Sequence, residues 1–166
     1  MNNKVGKIAR SSMIAALVCV ATMIIKVPSP LNGYVNLGDG IVLLGGWLLG
    51  PVYGFFAAAV GSALADLLSG YGVYAPATFV IKGAVALTAF YIFRFLSGKT
   101  AKVLARLVSA VCAELVMVAG YYVFEGFLYG FVPSAVNILP NAVQGAFGIV
   151  IGTVLINVVG KLKIKL

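Results

Sequence analysis

The sequence has no histidine and only four acidic residues in 166. Without imidazole there is no ordinary proton shuttle near neutral pH and no histidine-ligated metal. The two cysteines, Cys19 and Cys112, fall in separate apolar stretches. Two isolated thiols form no metal motif, and a disulfide between them is not expected. A serine triad cannot be assembled either, so catalysis lacks its parts. Ser97-Gly98-Lys99-Thr100 ends like a phosphate-binding loop, but Phe93 stands where the first glycine belongs and no strand precedes it. Gly38-Asp39-Gly40 is no dinucleotide fingerprint. The expectation is a protein that binds or conducts rather than transforms, with no metal and no cofactor.

Charge is scarce as well: 10% of residues are charged and 62% are hydrophobic, where a soluble domain has about a quarter charged and about half apolar. Mean hydropathy is +1.09. This composition describes an integral membrane protein, and residues 1–166 are enough for one compact all-α bundle. The net charge of +8 does not indicate nucleic acid, because no aromatic-basic reading surface accompanies it. Ten of the twelve basic residues fall in three clusters: Lys4, Lys7 and Arg10; Arg94, Lys99, Lys102 and Arg106; Lys161, Lys163 and Lys165. Such clusters flank membrane spans on the cytoplasmic side.

Six apolar spans are predicted: 8–27, 37–49, 52–68, 75–96, 103–124 and 134–159, with proline and glycine at every junction. The run from Ile8 to Ile25 is long enough to span, and no clear cleavage site follows it, so it reads as a retained helix and not a signal peptide. Six spans place both termini in the cytoplasm and the 28–36, 69–74 and 126–133 loops outside. Small residues recur at packing distance: Ser11, Ala15 and Cys19, with Ser12 and Ala16 beside them; Gly54, Ala57, Gly61 and Ala65; Gly148 and Gly152. The last two stripes are expected to pack inside the bundle, and the first is free for another subunit. No internal repeat is visible.

Against this background the intramembrane charges stand out. An ionised group in hydrocarbon costs about 2.5–3.5 kcal/mol at least. Asp66 and Lys82 lie at similar depths on adjacent antiparallel spans, as an ion pair or as one wall of a site. Ser62 shares a face with Asp66, and Thr78 with Lys82. Glu114, Tyr121 and Glu125 share a face of the fifth span, and Asn137, Asn141 and Gln144 one of the sixth. All except Glu114 fall in the outer half and converge on an outward-opening pocket. The bland alternatives are interhelical hydrogen bonding for the amides, a helix cap for Asn36 and Asp39, and an interfacial belt for Tyr71, Tyr74, Tyr121, Tyr122 and Tyr129. Trp47 reads as an anchor at the inner interface.

Several segments carry a resemblance: Val35-Asn36-Leu37-Gly38-Asp39-Gly40 leading to Leu48-Leu49-Gly50-Pro51, Gly61-Ser62-Ala63-Leu64-Ala65-Asp66, Tyr74-Ala75-Pro76-Ala77-Thr78, and Pro140-Asn141-Ala142-Val143-Gln144-Gly145. With these the chain resembles, over nearly its whole length, the substrate-binding S components of energy-coupling factor (ECF) vitamin transporters. The resemblance implies a bacterial plasma-membrane protein that captures a vitamin from outside. It then docks on a transmembrane T subunit driven by two ATPases, toppling in the membrane to deliver its cargo. Ser12-Met13-Ile14-Ala15-Ala16 is similar to the family's Ala-xxx-Ala contact motif, with serine in the first place, which makes Ser12, Ala15 and Ala16 the expected partner contacts. The Asn-Leu-Gly-Asp-Gly segment is most similar to members assigned to pyridoxine or hydroxymethylpyrimidine, and riboflavin binders share the general layout. The candidate substrate residues are Asn36, Asp39, Asp66, Tyr74, Thr78, Lys82, Glu114, Tyr121, Asn137, Asn141 and Gln144. The acids would accept from ring hydroxyls or a protonated nitrogen, while Lys82, Asn141 and Gln144 would donate. Two other readings stand beside this one: a self-sufficient permease with Asp66 and Glu114 as proton sites, and a purely structural membrane subunit.

Overall fold

The computed structural model describes residues 3–161; Lys163 and Lys165 of the third basic cluster lie outside the described residues. Long uninterrupted apolar runs form the helices α1 (Asn3–Ile24), α3 (Pro51–Leu68), α4 (Ala75–Leu96), α5 (Lys102–Tyr129) and α7 (Ile138–Lys161). A one-turn helix α6 (Phe131–Ser134) and a 3-10 turn (Ala135–Asn137) lead into α7. Between α1 and α3 stand a two-stranded antiparallel hairpin, β1 (Lys26–Pro28) and β2 (Tyr34–Asn36), and the short helix α2 (Asp39–Leu49).

Five helical segments are long and apolar enough to cross a membrane: Lys4–Ile24, Pro51–Leu68, Ala75–Leu96, Lys102–Tyr129 and Phe131–Lys161. Helix α2 is not one of them. Its 11 residues rise about 17 Å, against a hydrocarbon core of about 30 Å. Of the six expected spans, five correspond to long apolar helices and the second to the short, largely buried helix α2.

Helix α2 packs against α1, α3, α4 and α7, while α3, α4 and α5 form a consecutive antiparallel row and α7 closes against α5. The core is centred on α2: Val42 and Leu43 meet Ile14, Val18, Val85, Ala113 and Met117. Small residues permit the close approach. Gly54 lies against the α2 backbone at Gly45 and Gly46, Gly61 against the Ala15 carbonyl, and Gly152 against the Gly40 carbonyl. The stripes on the third and sixth predicted spans thus pack inside the bundle. Large apolar side chains such as Phe56, Phe95, Leu115, Phe127 and Phe147 point outward, as lipid-facing helices require. Trp47, expected as an anchor at the inner interface, is largely buried, donates from Nε1 to Ser109 Oγ at 3.0 Å, and borders the groove lined by Lys7 and Arg94.

The turns between these helices follow local chemistry. Gly50 adopts φ +81°, open to glycine and strained for other residues, and Pro51 then starts α3, where its missing N–H costs nothing. At the other end of α3 the chain reverses through Gly70, with Tyr71 N–H donating to Asp66 O at 2.8 Å. The hairpin is fastened to that turn by Lys26 Nζ to Ser69 Oγ, 3.0 Å, and to the start of α4 by Tyr74 OH to Leu31 O, 2.7 Å. The hairpin, the 69–74 turn and the start of α4 therefore share one end of the bundle. Lys7, Gly50, Pro51 and Arg94 line a groove at the opposite end.

Candidate functional site

Asp39 starts helix α2 inside the bundle, fully buried, and its carboxylate takes two side-chain donors. The Lys82 ammonium, 3% exposed, pairs with Oδ1, and Gln144 Nε2 donates to Oδ2 at 2.5 Å. Gln144 also accepts the Asn36 N–H on Oε1 at 2.8 Å, tying β2 to α7. Lys82 meets Met117 Sδ at 3.0 Å and stands 5.5 Å from the Tyr121 ring centroid. A buried ion pair survives when further hydrogen bonds satisfy both partners, and Gln144 supplies the main one.

This network corrects two expectations. Lys82 pairs with Asp39 and not with Asp66. Asp39 is an interior anion and not merely a cap. Asn36 does support the turn, its Oδ1 accepting the Gly38 N–H at 2.9 Å, but α2 has no side-chain cap bond.

Above this layer, toward the hairpin, lies a narrow polar cavity. Its walls include Tyr34, Asn36, Asp66, Tyr74, Thr78, Tyr121, Glu125, Asn141 and Gln144. Asp66 accepts from Tyr34 OH at 2.5 Å on Oδ1, and Oδ2 has no partner among the described residues. Thr78 Oγ1 and Tyr121 OH share a hydrogen bond at 3.1 Å. Glu125 is held on Oε1 by Asn137 Nδ2 at 2.8 Å, and its Oε2 is unpartnered among the described residues. Tyr74 OH lies 3.3 Å from Glu125 Oε1, but its single proton has the shorter acceptor in Leu31 O. Burial first, and the Asp66 carboxylate second, push the Tyr34 phenol far above its ordinary range, so it remains a donor. Burial and then Glu125 do the same to Tyr74.

Seven of the predicted residues therefore share the cavity wall: Asn36, Asp66, Tyr74, Thr78, Tyr121, Asn141 and Gln144. Asp39 and Lys82 lie in the layer beneath, bonded to Gln144 and to each other, and Asn137 stands behind Glu125. Glu114 is 4% exposed and both carboxylate oxygens lack a partner among the described residues. It sits against Gly145 and Gly148, and a Cβ on Gly148 would meet Asp39 Cβ at 2.7 Å and Glu114 Oε1 at 3.3 Å. Of the expected partner contacts, Ser12 and Ala16 are exposed, whereas Ala15 is half-buried with its carbonyl against Gly61.

Tyr34 and Glu125 complete the wall without having been selected as site residues. Glu125 shows the right periodicity on α5, but it falls one residue beyond the predicted end at Phe124. No sequence signal distinguished Tyr34 from the other interfacial tyrosines. Among the described residues no group of His, Cys, Asp and Glu is disposed to hold a metal ion.

A five-span bundle wrapped around a short central helix, with a polar cavity under a hairpin at one end, defines a membrane-embedded small-molecule binder. The sequence model for the ECF-type riboflavin transporter S component matches residues 2–161, and the chain belongs to that family. It is thus a multi-pass membrane protein and the substrate-binding component of a vitamin-type ECF transporter. An uncharacterized protein of Pyrococcus woesei is 39% identical over 136 residues, covering 81% of this chain and 88% of that one. The fold is similar to that of the S component of a bacterial ECF transporter, with TM-score 0.76, 24% identity, and 98% of this chain and 100% of that one covered. It is also similar to the S component for biotin from an ECF-type ABC transporter, with TM-score 0.54, 17% identity, and 95% of each chain covered.

Proposed function

We propose that this chain captures a small heteroaromatic vitamin, pyridoxine or a hydroxymethylpyrimidine, in the cavity beneath the hairpin. It then delivers the vitamin through a T subunit and two ATPases. The observation that carries the reading is the two-layer site itself. A buried Asp39–Lys82–Gln144 floor lies below walls of tyrosine, amide and carboxylate. Tyrosines suit the faces of a flat ring and the polar groups suit its edge. The basic residues Lys7 and Arg94 at the opposite end support a cytoplasmic location for that end and an outward-facing hairpin in the plasma membrane. The exposed Ser12 and Ala16 on α1 suit a close-packing contact with the T subunit.

Riboflavin is the second reading, favoured by the description of the matching family. Titrating the purified protein with pyridoxine, hydroxymethylpyrimidine and riboflavin separates the two. Tight binding of a small ring without any energy source is expected. Proton-driven uptake by the lone protein in liposomes would instead support a self-sufficient permease.

A further inference from the structure

The chain has four acidic residues in all, and all of them are buried around this site: Asp39, Asp66, Glu114 and Glu125. In a chain of net charge +8 this is an extreme segregation. Lys82 is the one buried lysine among the described residues, and its ammonium is committed to Asp39 and the Met117 sulfur. The other acids are therefore short of donors.

The shortage has a direction. At the cavity wall, Asp66 and Glu125 are each fixed on one oxygen, by Tyr34 and by Asn137, and each leaves the other oxygen without a partner. Asn137 Oδ1 is unpartnered too, as are both oxygens of Glu114 one layer away. The buried side-chain donors without a partner among the described residues are Arg106 Nε, near Asn157 on the far part of α7, and the Ser62 and Thr153 hydroxyls, and none of the three residues lines this cavity. The protein thus offers oriented acceptors in excess and expects its ligand to supply the donors. An uncompensated buried carboxylate is costly, and a charge-assisted hydrogen bond is roughly twice as strong as a neutral one.

Resting on the vitamin-binding reading above, we propose that the ligand is cationic: a heteroaromatic ring bearing an amino group that is protonated at neutral pH. That amino group is received by the free oxygens of Asp66 and Glu125. The ring stays against the tyrosines, and its oxygen substituents turn toward Asn141 and Gln144.

The test uses the intact purified protein and ligands that differ at one substituent. Pyridoxamine, pyridoxine and pyridoxal share a ring and differ in carrying an ammonium, a hydroxyl or an aldehyde. Pyridoxamine is expected to bind about tenfold or more tightly than pyridoxine. Glu125→Gln and Asp66→Asn should each shrink that preference while leaving pyridoxine affinity less affected. Equal or tighter binding of pyridoxine to the unaltered protein overturns the cation assignment and leaves the vitamin site standing. The same holds if the pyridoxamine preference persists in both variants. Failure of all three compounds, hydroxymethylpyrimidine and riboflavin to bind overturns the vitamin site and this inference together.

Discussion

The site contains two populations of buried polar groups that share a location and differ in how they are satisfied. In the floor, Asp39 is enclosed by Lys82 and Gln144, and Gln144 in turn holds the Asn36 backbone. In the wall, and in Glu114 beside the floor, carboxylate oxygens face no donor among the described residues. Both arrangements cost desolvation, but only the first recovers it within the protein. The floor therefore reads as architecture that holds α2, α4, α7 and the hairpin in one geometry. The wall reads as unspent binding capacity. Substitutions in the floor should cost stability, and loss of the wall's unpartnered carboxylate oxygens should cost affinity, while loss of a donor already bonded within the wall, such as the Tyr34 hydroxyl, should also cost stability.

The largest effect should come from breaking the floor. Lys82→Met leaves Asp39 as a buried charge without its partner and should lower unfolding stability in detergent by about 3–5 kcal/mol. The double change Lys82→Met with Asp39→Leu should recover most of that loss, because no charge is left uncompensated. Next in size is Gly148→Ala. Its new Cβ would lie 2.7 Å from Asp39 Cβ, and overpacking of this kind costs about 1–3 kcal/mol. Tyr34→Phe should cost about 1.5–3 kcal/mol, as for other bonds to a charged group, and it has a pH signature. The Tyr34 phenol is held above its unfolded value by burial, so its contribution is full below about pH 10 and declines as pH rises beyond that. An alkaline unfolding series should show the wild type losing stability relative to Tyr34→Phe above about pH 10. The smallest effect on stability belongs to Glu114→Gln. It exchanges one buried polar group for another of nearly the same shape and should change the thermal midpoint little.

Much of this was legible in the sequence, for physical reasons that also explain the misses. Lipid forces every spanning segment into a long apolar helix, so α1, α3, α4, α5 and α7 were visible as runs. Of the polar set Asn137, Asn141 and Gln144, read as one helix face, Asn141 and Gln144 line the cavity, whereas Asn137 lies in the 3-10 turn before α7 and bonds Glu125. Depth was the weak point. Treating residues 37–49 as a span put Asp39 at a membrane surface, where capping is the natural role. A short helix beginning inside the bundle puts it level with Lys82, and the pair forms across 43 positions of sequence. The strands β1 and β2 are three residues each and are masked by Pro28, Ser29, Pro30 and Gly33, all of them turn formers. Glu125 was placed on the converging face with Glu114 and Tyr121 but not among the candidate residues, since it fell just past the expected end of the span, whereas the helix continues to Tyr129. Tyr34 acquires its place only through the hairpin and its bond to Asp66, neither of which has a local signature.

Asn141 is the cleanest probe of the central claim that this cavity is the vitamin site. It lines the cavity, is half-buried, and has no side-chain hydrogen bond among the described residues, so its removal should spare the fold. The deciding measurement is the equilibrium affinity of Asn141→Ala for whichever vitamin binds the unaltered protein most tightly. A loss of about tenfold at an unchanged unfolding midpoint is predicted, as for removal of one ligand hydrogen bond. Unchanged affinity would place the ligand elsewhere and contradict the account.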